Sequence, residues 1–513
     1  MAIAILVLAI VLVVYGLYNG RDRHKGYQLS LDIPLPTEYT AYKTGFAAVK
    51  ITPTDFEPWV DKDNNAAYEP DKGDTFQDLN NNGVFDTYWI AGFDNKRAVN
   101  GIHDDLWART ALIDDGKTRL AVVSLDLIGF PHKNVLNVRK KLPAEWGITY
   151  LTICTTHNHE GPDMLGMWGD SELKSGVNKA YEKRVESMVL RSIEQALKNL
   201  KLSKLTVAQD LTYAQALTTD TRKPIVKDDG LYILRASDPT TNVTFGTLVV
   251  WGNHPETLWN KNTLLTSDFP HYLREGIEKG VYDGNTLVQK GIGGTVVYAT
   301  GCVGGLMTTD PTVKVKDPFK ENVEYEKPSF EKAEAQGKAL AMMILKALEK
   351  EEAVEGGIRL VAKTLDLPLD NWRFRLAVAL GIIDAGYSRW RHFRTEVAAW
   401  QIGNVSFVTI PGEIYPEIVN GGIETPSEGD FQLTTPIETP PIRSLMPGRY
   451  KFVLGLANDE LGYIIPKSEW DEKPPYLYGA QKQLYGEINS VGPETAPILH
   501  QNIKTMLEQL SSK

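Results

Sequence analysis

The sequence predicts a mixed α/β (α+β) fold, in which central mixed β-sheets are flanked by helices within one large catalytic domain. Three observations lead to this prediction. Strand-like and helix-like segments alternate from about residue 112 onward, strand pairs are joined by hairpin turns, and buried strands repeatedly run into an abrupt turn and a polar residue. The hairpins exclude a regular βα barrel. Polar residues at converging strand ends predict a ligand crevice.

Hydrophobic periodicity places the individual elements in chain order. Apolar runs bounded by turn signals predict strands or hairpins over 108–130 (with its turn at 114–116), 150–156, 229–252, 294–305 and 395–414. Helical spacing of apolar residues predicts helices over 132–142, 181–201 and 329–351. The apolar run 376–383 is compatible with a core helix or strand and with the lining of an acyl groove.

Composition limits the classes of function. The 513 residues are 42% apolar and 23% charged, ordinary values for a globular protein with a large core. The formal net charge is −10 and no basic stripe is present, which argues against nucleic acid as a partner. Only two cysteines occur, Cys154 and Cys302, which excludes a disulfide framework and a thiolate metal cluster. Two buried thiols are expected, although one long-range bridge is compatible with the sequence.

The N-terminus departs from this ordinary composition. Residues 2–18 carry no charge and approach the length of a bilayer span, so residues 1–20 predict a transmembrane anchor or an uncleaved signal. The polar, proline-containing residues 21–45 suit a tether, and 46–513 form the predicted catalytic domain. Basic residues at 21–25 favour the cytoplasmic side for that flank. The function inferred below instead favours a periplasmic or extracellular domain, so the orientation stays open.

Residues 78–86 have the ligand spacing of a calcium loop. Oxygen-bearing side chains or a backbone carbonyl occupy alternate positions around a glycine, namely at Asp78, Asn80, Asn82, Val84 and Asp86. Trp89 stands where the bidentate glutamate of a full EF-hand is expected, and no helix pattern flanks the loop. The spacing predicts a structural Ca²⁺ site, with an ordinary Asn/Asp turn as the alternative.

The segment 149–166 is the centre of the functional prediction. A β-branched strand leads to His157 and His159 directly before the breaker 160–162. Alternate residues of an extended chain share a face, so both imidazoles can enter one hollow, as a zinc site or a proton-transfer site requires. The alternative is a pair of histidines that cap a solvent-exposed turn.

Three further strand exits carry side chains that can bind a metal, at His254, Glu413 and Tyr463. Each has a structural alternative, respectively a core histidine, a helix cap and an aromatic ring packed under a loop. Sequence spacing alone does not show that these three side chains meet in the folded protein.

The order and context of these segments resemble the neutral (alkaline, non-lysosomal) ceramidase family from about residue 46 to 500. The family's Thr-His-x-His-Ser-Gly-Pro segment is matched by 156–162, and its second zinc histidine follows a hydrophobic strand, as His254 does. Its Pro-x-Glu turn is matched at Glu413, and its Asn-x-x-x-x-Tyr segment at Tyr463. The resemblance implies that one Zn²⁺ per chain is held by His157, His254, Glu413 and Tyr463.

The resemblance also implies further roles. His159 is expected to transfer the proton. Arg222 matches an arginine that contacts substrate, and Tyr485 roughly matches a second functional tyrosine, a position for which Tyr476 and Tyr478 are the alternatives. Arg222 and Tyr485 are expected to stabilise an oxyanion. Asp126 and His103 lie in early segments similar to the family's, and both are expected behind the metal site, with Asp126 orienting a ligand histidine.

The chain departs from the family at three places. Residues 304–308 stand where the family has Gly-Asp-Val-Ser-Pro, Glu160 replaces the serine after the second histidine, and no C-terminal immunoglobulin-like domain is present. These departures bear on the substrate more than on metal-dependent hydrolysis, because the implied nucleophile is water.

The function implied by the resemblance is zinc-dependent hydrolysis of the amide in N-acylsphingosine or a related N-acyl lipid. Two alternatives stay open: a membrane-anchored binding protein with a structural metal site, and a zinc amidase or esterase that acts on a non-lipid substrate. The expected partners are a lipid-like N-acyl substrate and a membrane contacted through the N-terminal segment. No protein partner can be inferred.

Overall fold

Two mixed β-sheets, packed face to face, form the centre of the computed structural model, which describes residues 2–39, 41–212 and 214–511. Met1, Thr40, Tyr213, Ser512 and Lys513 fall within the predicted anchor, tether and catalytic segments but lie outside the described residues. Elements are numbered in chain order.

The larger sheet has nine strands over the described residues. They are β2 (Tyr42–Lys50), β5 (Trp107–Asp114), β6 (Arg119–Leu125), β7 (Tyr150–Thr155), β8 (Lys201–Asp210), β10 (Leu231–Ser237), β11 (Thr244–Trp251), β14 (Thr295–Thr300) and β18 (Glu352–Ala353). The order across the sheet is β14-β11-β10-β8-β2-β5-β6-β7, with β18 paired to β8. The pairs β6/β7 and β11/β14 are parallel and the others antiparallel.

The smaller sheet has five strands over the same residues. They are β1 (Ser30–Ile33), β19 (Ile358–Pro368), β20 (His392–Ile402), β21 (Val405–Thr409) and β23 (Tyr450–Leu454), in the order β1-β19-β20-β21-β23. Only β21 and β23 pair in parallel within it. The strand β1 lies inside the segment predicted as a tether, where it forms the edge of this sheet.

Short two-stranded ladders complete the β-structure. They are β3 (Trp59–Val60) with β4 (Thr75–Phe76), β9 (Thr219–Asp220) with β15 (Met307–Thr308), β12 (Gly280–Asp283) with β13 (Thr286–Lys290), β16 (Val315–Lys316) with β17 (Glu324–Tyr325), and β22 (Glu413–Ile414) with β24 (Tyr463–Ile464).

Helices lie around the two sheets. They are α1 (Ala2–Asn19), α2 (His132–Lys141), α3 (Lys179–Lys198), α4 (Phe269–Glu278), α5 (Phe330–Ala347), α6 (Trp372–Leu380), α7 (Pro416–Asn420), α8 (Ile442–Leu445), α9 (Tyr485–Ile488) and α10 (Thr495–Ser511). The helices α2 to α5 pack on the larger sheet and α10 on β19 and β20. The result is a helix–sheet–sheet–helix stack.

Between the sheets, the inner faces share one apolar core. The ring of Tyr232, from the larger sheet, lies 5.5 Å from the ring of Phe452, and Phe407 stacks on Trp400 at 5.0 Å. Full burial of an apolar side chain of this kind stabilises the folded state by about 1.5–3 kcal/mol. The stacked sheets therefore provide a rigid base for the loops at their strand ends.

The helix α1 corrects the prediction of a transmembrane anchor. Within the described part of the chain, no helix is both long and apolar enough to cross a bilayer. The last turn of α1 packs on α6, where Asn19 Nδ2 donates to the Ala379 carbonyl at 2.9 Å. A transmembrane helix is therefore not supported in the described residues.

The other predicted elements are confirmed. The hairpins β5–β6, β10–β11 and β20–β21, the strands β7 and β14, and the helices α2, α3 and α5 all form where hydrophobic periodicity placed them. The apolar run 376–383 begins within α6. Cys154 and Cys302 are both buried and free, so the alternative of a disulfide between them is wrong.

Candidate metal centre

The candidate ligands lie just beyond the ends of strands from both sheets. His157 follows β7, His254 follows β11, Glu413 follows β21, and Tyr463 comes after β23. His157 has φ +63, a left-handed backbone that non-glycine residues rarely adopt, so the chain turns sharply where the ring enters the site. All four residues are buried.

The short parallel ladder of β22 and β24 explains how residues fifty positions apart meet. Glu413 is paired in register with Tyr463, and Ile414 with Ile464. Because paired residues on parallel strands project to the same side, the carboxylate and the phenol share one face of the ladder. The carboxylate then faces the two histidines.

Backbone carbonyls orient both histidine rings. His157 Nδ1 lies 2.7 Å from the Ile128 carbonyl, and His254 Nδ1 lies 2.7 Å from the Met307 carbonyl. A carbonyl oxygen can only accept, so each Nδ1 carries the proton. The second nitrogen of each ring, Nε2, therefore points at Glu413. The Oε2 atom of Glu413 is 3.4 Å from His157 Nε2 and 3.0 Å from His254 Nε2.

This arrangement concentrates electron pairs at one point. A neutral imidazole that has its proton on Nδ1 presents a lone pair at Nε2, so two lone pairs and a carboxylate oxygen converge. Such a group is stable only with a cation or added protons between its members. The contact between the carboxylate and the two rings also shifts their pKa values. Burial alone would raise the pKa of Glu413, but His157 and His254 lower it to about 2. Burial would lower the pKa of His254, but Glu413 raises it to about 9.

The residues present fit a zinc ion. Ring nitrogens of His157, His159 and His254 all lie within 4.8 Å of one another, and Glu413 adds an oxygen. Imidazole nitrogen and carboxylate oxygen are ligands that Zn²⁺ prefers. Burial, with the neighbouring Glu413, raises the pKa of Tyr463 well above its ordinary range, so this phenol would bind a metal only by losing its proton to it.

His159 and Tyr485 lie beside the candidate ligands. The ring centroid of His159 is 4.9 Å from that of His157, and burial lowers its pKa, helped by the neighbouring His157 and His254. Tyr485 is 54% exposed, and its ring centroid is 5.9 Å from that of Tyr463. Both residues line the cleft described below.

Arg222 occupies a different place from the one predicted. Its two terminal nitrogens form a bidentate pair with Glu487 at 2.9 Å each, and they also donate to the Tyr415 hydroxyl and the Glu469 carbonyl. The guanidinium is buried behind Tyr415 and is not part of the cleft wall. Because these protein groups already occupy its terminal donors, Arg222 holds the α9 region in place and is not presented to an oxyanion.

Asp126 and His103 are also placed away from the predicted positions. Asp126 is buried in a pair with Arg274, at 2.8 and 3.0 Å, and also accepts from Ser267. It makes no hydrogen bond to either ligand ring, whose Nδ1 atoms are held by backbone carbonyls. His103 is exposed, stacks on Phe330 with a centroid distance of 3.8 Å, and faces Asp104. Sequence could not anticipate these contacts, since every partner except Asp104 is distant in the chain.

The candidate calcium loop is exposed, and its side chains bond mainly to each other. Asn80 and Asn82 donate to Asp86, and Asp78 accepts from the backbone of 82 and 83. Glu57 ties the two ends together by accepting from the backbone of 79 and 86. The turn forms as the spacing indicates, and calcium binding stays a prediction.

A cleft reaches the candidate metal centre. It encloses about 1270 Å³, solvent at its mouth included. Its wall contains five residues of the candidate site, namely His157, His159, Glu413, Tyr463 and Tyr485. The remaining lining is mostly apolar and includes Ile128, Leu136, Met164, Leu165, Trp168, Phe374, Ile383, Phe393, Leu461 and Val491. The centre is thus open to a ligand with a large apolar part.

Solved structures share this architecture. One is neutral ceramidase from Pseudomonas aeruginosa, with a TM-score of 0.62 and 16% identity over 93% of this chain and 76% of that chain. The chain has the fold of neutral ceramidase. A ceramidase complexed with C2 matches equally, with a TM-score of 0.62 and 16% identity over 92% of this chain and 75% of that one. No protein-family model matches the sequence, and no curated protein matches it significantly.

Within this ceramidase fold, two acids that the sequence pattern did not indicate lie near the site, Glu256, which is buried, and Glu460, which is half-buried. Glu256 Oε2 lies 3.2 Å from His159 Nδ1. Glu460 lines the cleft, and burial raises the pKa of its carboxyl well above the ordinary range, with Glu413 adding to the effect. The spacing of Glu256, two residues after His254, repeats the spacing between His157 and His159, and this repetition was the available signal.

Proposed function

We propose that this protein is a zinc-dependent hydrolase that cleaves the amide bond of an N-acyl lipid. The observation that carries the proposal is the convergence of two imidazole Nε2 atoms on Glu413 in the wall of a largely apolar cleft. The neutral ceramidase fold supports it, since the name of the solved structure describes hydrolysis of such an amide. A closed site would favour a structural metal, whereas this site opens to the cleft.

The chain's own residues suggest how the reaction would run. Zinc held by His157, His254, Glu413 and Tyr463 would supply Lewis acidity and a lower pKa for water. His159 would accept the proton of the water that attacks the carbonyl carbon, and would return it to the amine as the C–N bond breaks. The Tyr485 hydroxyl would donate to the carbonyl oxygen, a contribution of about 3 kcal/mol for one such donor. The apolar cleft wall would hold the acyl chain.

The cleft predicts a dependence on acyl-chain length. Each methylene removed from water is worth about 0.8 kcal/mol, so kcat/KM for N-acyl sphingosines is expected to rise by up to about fourfold per methylene until the cleft is full. Release of the fatty acid from a series with acyl chains of increasing length would measure this. Leu165→Gln, in the cleft wall, should flatten the series. Leu173→Gln, 75% exposed and outside the cleft, is the matched control.

A flat series in the wild type would contradict the lipid substrate and favour the alternative of a zinc amidase or esterase on a non-lipid substrate. No hydrolysis of any N-acyl compound, with metal bound, would favour the alternative of a binding protein.

Contact with a membrane surface through the N-terminal segment is a separate proposal, and a periplasmic or extracellular location goes with it. The apolar side chains of α1 are exposed, with Ile3 80% and Leu8 59% exposed, and a lipid surface would cover them. We expect the full chain to sediment with phospholipid vesicles and Leu8→Asp to weaken this at least tenfold. Leu287→Asp, at a 48% exposed site on β13, is the control. Equal sedimentation of both variants would exclude α1 as the contact.

A further inference from the structure

His159 is held in a fixed position on the cleft wall. Its backbone N–H donates to the Pro255 carbonyl at 3.0 Å, and its own carbonyl accepts from Arg97. On one side of the ring, a Cβ on Gly92 would come within 2.4 Å of His159 Nδ1, so only glycine allows the chain to approach this closely. The ring of Phe93 packs edge-on at 5.2 Å. The imidazole therefore has little freedom to turn.

Glu256 stands behind this ring. Its Oε2 is 3.2 Å from His159 Nδ1, and its other oxygen, Oε1, accepts from the Thr308 hydroxyl. Glu256 is buried and is not part of the cleft wall, whereas His159 is. Neither ring nitrogen of His159 makes a hydrogen bond in the part of the chain that the structure describes, and Glu256 meets Nδ1 at ion-pair distance. The order from the cleft inward is thus His159, Glu256, Thr308.

We propose that Glu256 is a positioning residue that fixes the orientation and tautomer of the His159 ring. A carboxylate beside Nδ1 favours the tautomer with the proton on Nδ1, which leaves the lone pair of Nε2 toward the cleft. Thr308 in turn fixes the carboxylate. The inference rests on the proposed hydrolase for its kinetic consequence, but its structural content does not depend on the substrate.

The substitution Glu256→Gln tests this directly because the amide has only one oxygen to share between Thr308 and His159. A hydroxyl can donate or accept, and we expect Thr308 to keep donating, as it does to Glu256 Oε1, so that the amide oxygen faces Thr308 and the NH₂ group faces His159. Nδ1 must then accept, and the proton moves to Nε2, where it blocks the role of a base. By analogy with loss of the orienting carboxylate in serine protease triads, we expect kcat to fall by about 10²- to 10⁴-fold, with KM changed less than threefold.

The double variant Glu256→Gln with Thr308→Val provides a rescue. Without the hydroxyl, the amide can turn its oxygen to His159 and restore the proton to Nδ1. The kcat of the double variant should therefore be at least tenfold higher than that of Glu256→Gln. Thr308→Val alone is the control and should cost less than tenfold. A role for Glu256 in folding alone would predict that the double variant is no better than Glu256→Gln.

Two further readouts keep the inference separate from the proposed function. In protein labelled with ¹⁵N-histidine, the His159 signal, assigned by its loss in His159→Asn, should report a protonated Nδ1 in the wild type and a protonated Nε2 in Glu256→Gln. Metal content should be unchanged in both. An unchanged tautomer, or loss of metal in Glu256→Gln, would overturn the inference. If the wild type hydrolyses no N-acyl amide, the proposed function fails while the tautomer still tests Glu256.

Discussion

Glu413→Gln is expected to remove zinc from the protein and to lower kcat/KM for amide hydrolysis by roughly 10³-fold or more. Glu413 is the group on which both ligand histidines converge, at 3.4 and 3.0 Å. The amide that replaces it has no charge to offset the cation and presents an NH₂ group to one of the imidazole lone pairs. Removing a group that merely orients a ligand already lowers metal affinity or activity about 10- to 100-fold. Loss of a ligand itself is expected to lower both by a larger factor.

Glu417→Gln is the matched control for that variant. Glu417 lies four residues further on in α7 and is equally buried, and burial raises the pKa of its carboxyl to about 7. Near neutral pH a neutral amide is therefore a close substitute. We expect Glu417→Gln to keep its zinc and most of its activity. Zinc retained in Glu413→Gln, or lost equally in both variants, would contradict Glu413 as a ligand.

Asp126→Ala is expected to destabilise the fold by about 3–5 kcal/mol and to leave metal binding by the folded protein unchanged. The carboxylate is 1% exposed and pairs with Arg274, which is 2% exposed. Removing one partner leaves a buried guanidinium without its counter-charge, which is strongly destabilising. Unfolding in urea would measure the change, with zinc content measured on the folded fraction.

A second variant separates charge from packing at this position. Asp126→Leu combined with Arg274→Met removes both charges, so it should recover much of the stability that Asp126→Ala loses. If Asp126→Ala were as stable as the wild type and bound zinc more weakly, Asp126 would support the metal site after all.

Local patterns in the sequence were sufficient to predict most elements of this fold. Hydrophobic alternation and turn residues located β5–β6, β10–β11 and β20–β21 because a hairpin is specified by neighbouring residues. The face-to-face stacking of two sheets was not specified, because it depends on pairs such as Tyr232 and Phe452, which are far apart in the chain. The exposed α1 was misread because apolarity alone does not show where a helix packs.

The candidate site was likewise predicted from the sequence only in part. The resemblance assembled His157, His254 and Glu413, and the structure places these three together. It also assigned Arg222 a place at the substrate, whereas this chain pairs Arg222 with Glu487, 265 residues later. Glu256 was missed since its importance depends on its contact with His159, nearly a hundred residues earlier. Motifs identified the candidate ligands, but charge pairs between distant segments decided which other polar residues reach the site.

The most direct test of the account is the zinc content of the purified full-length protein, determined by elemental analysis beside His254→Ala, with calcium measured in the same samples. We predict about one zinc per chain in the wild type and none in the variant, because segments a hundred residues apart must together hold the ion. Absence of zinc from wild-type protein prepared without chelators, and its failure to bind added zinc, would contradict the hydrolase mechanism.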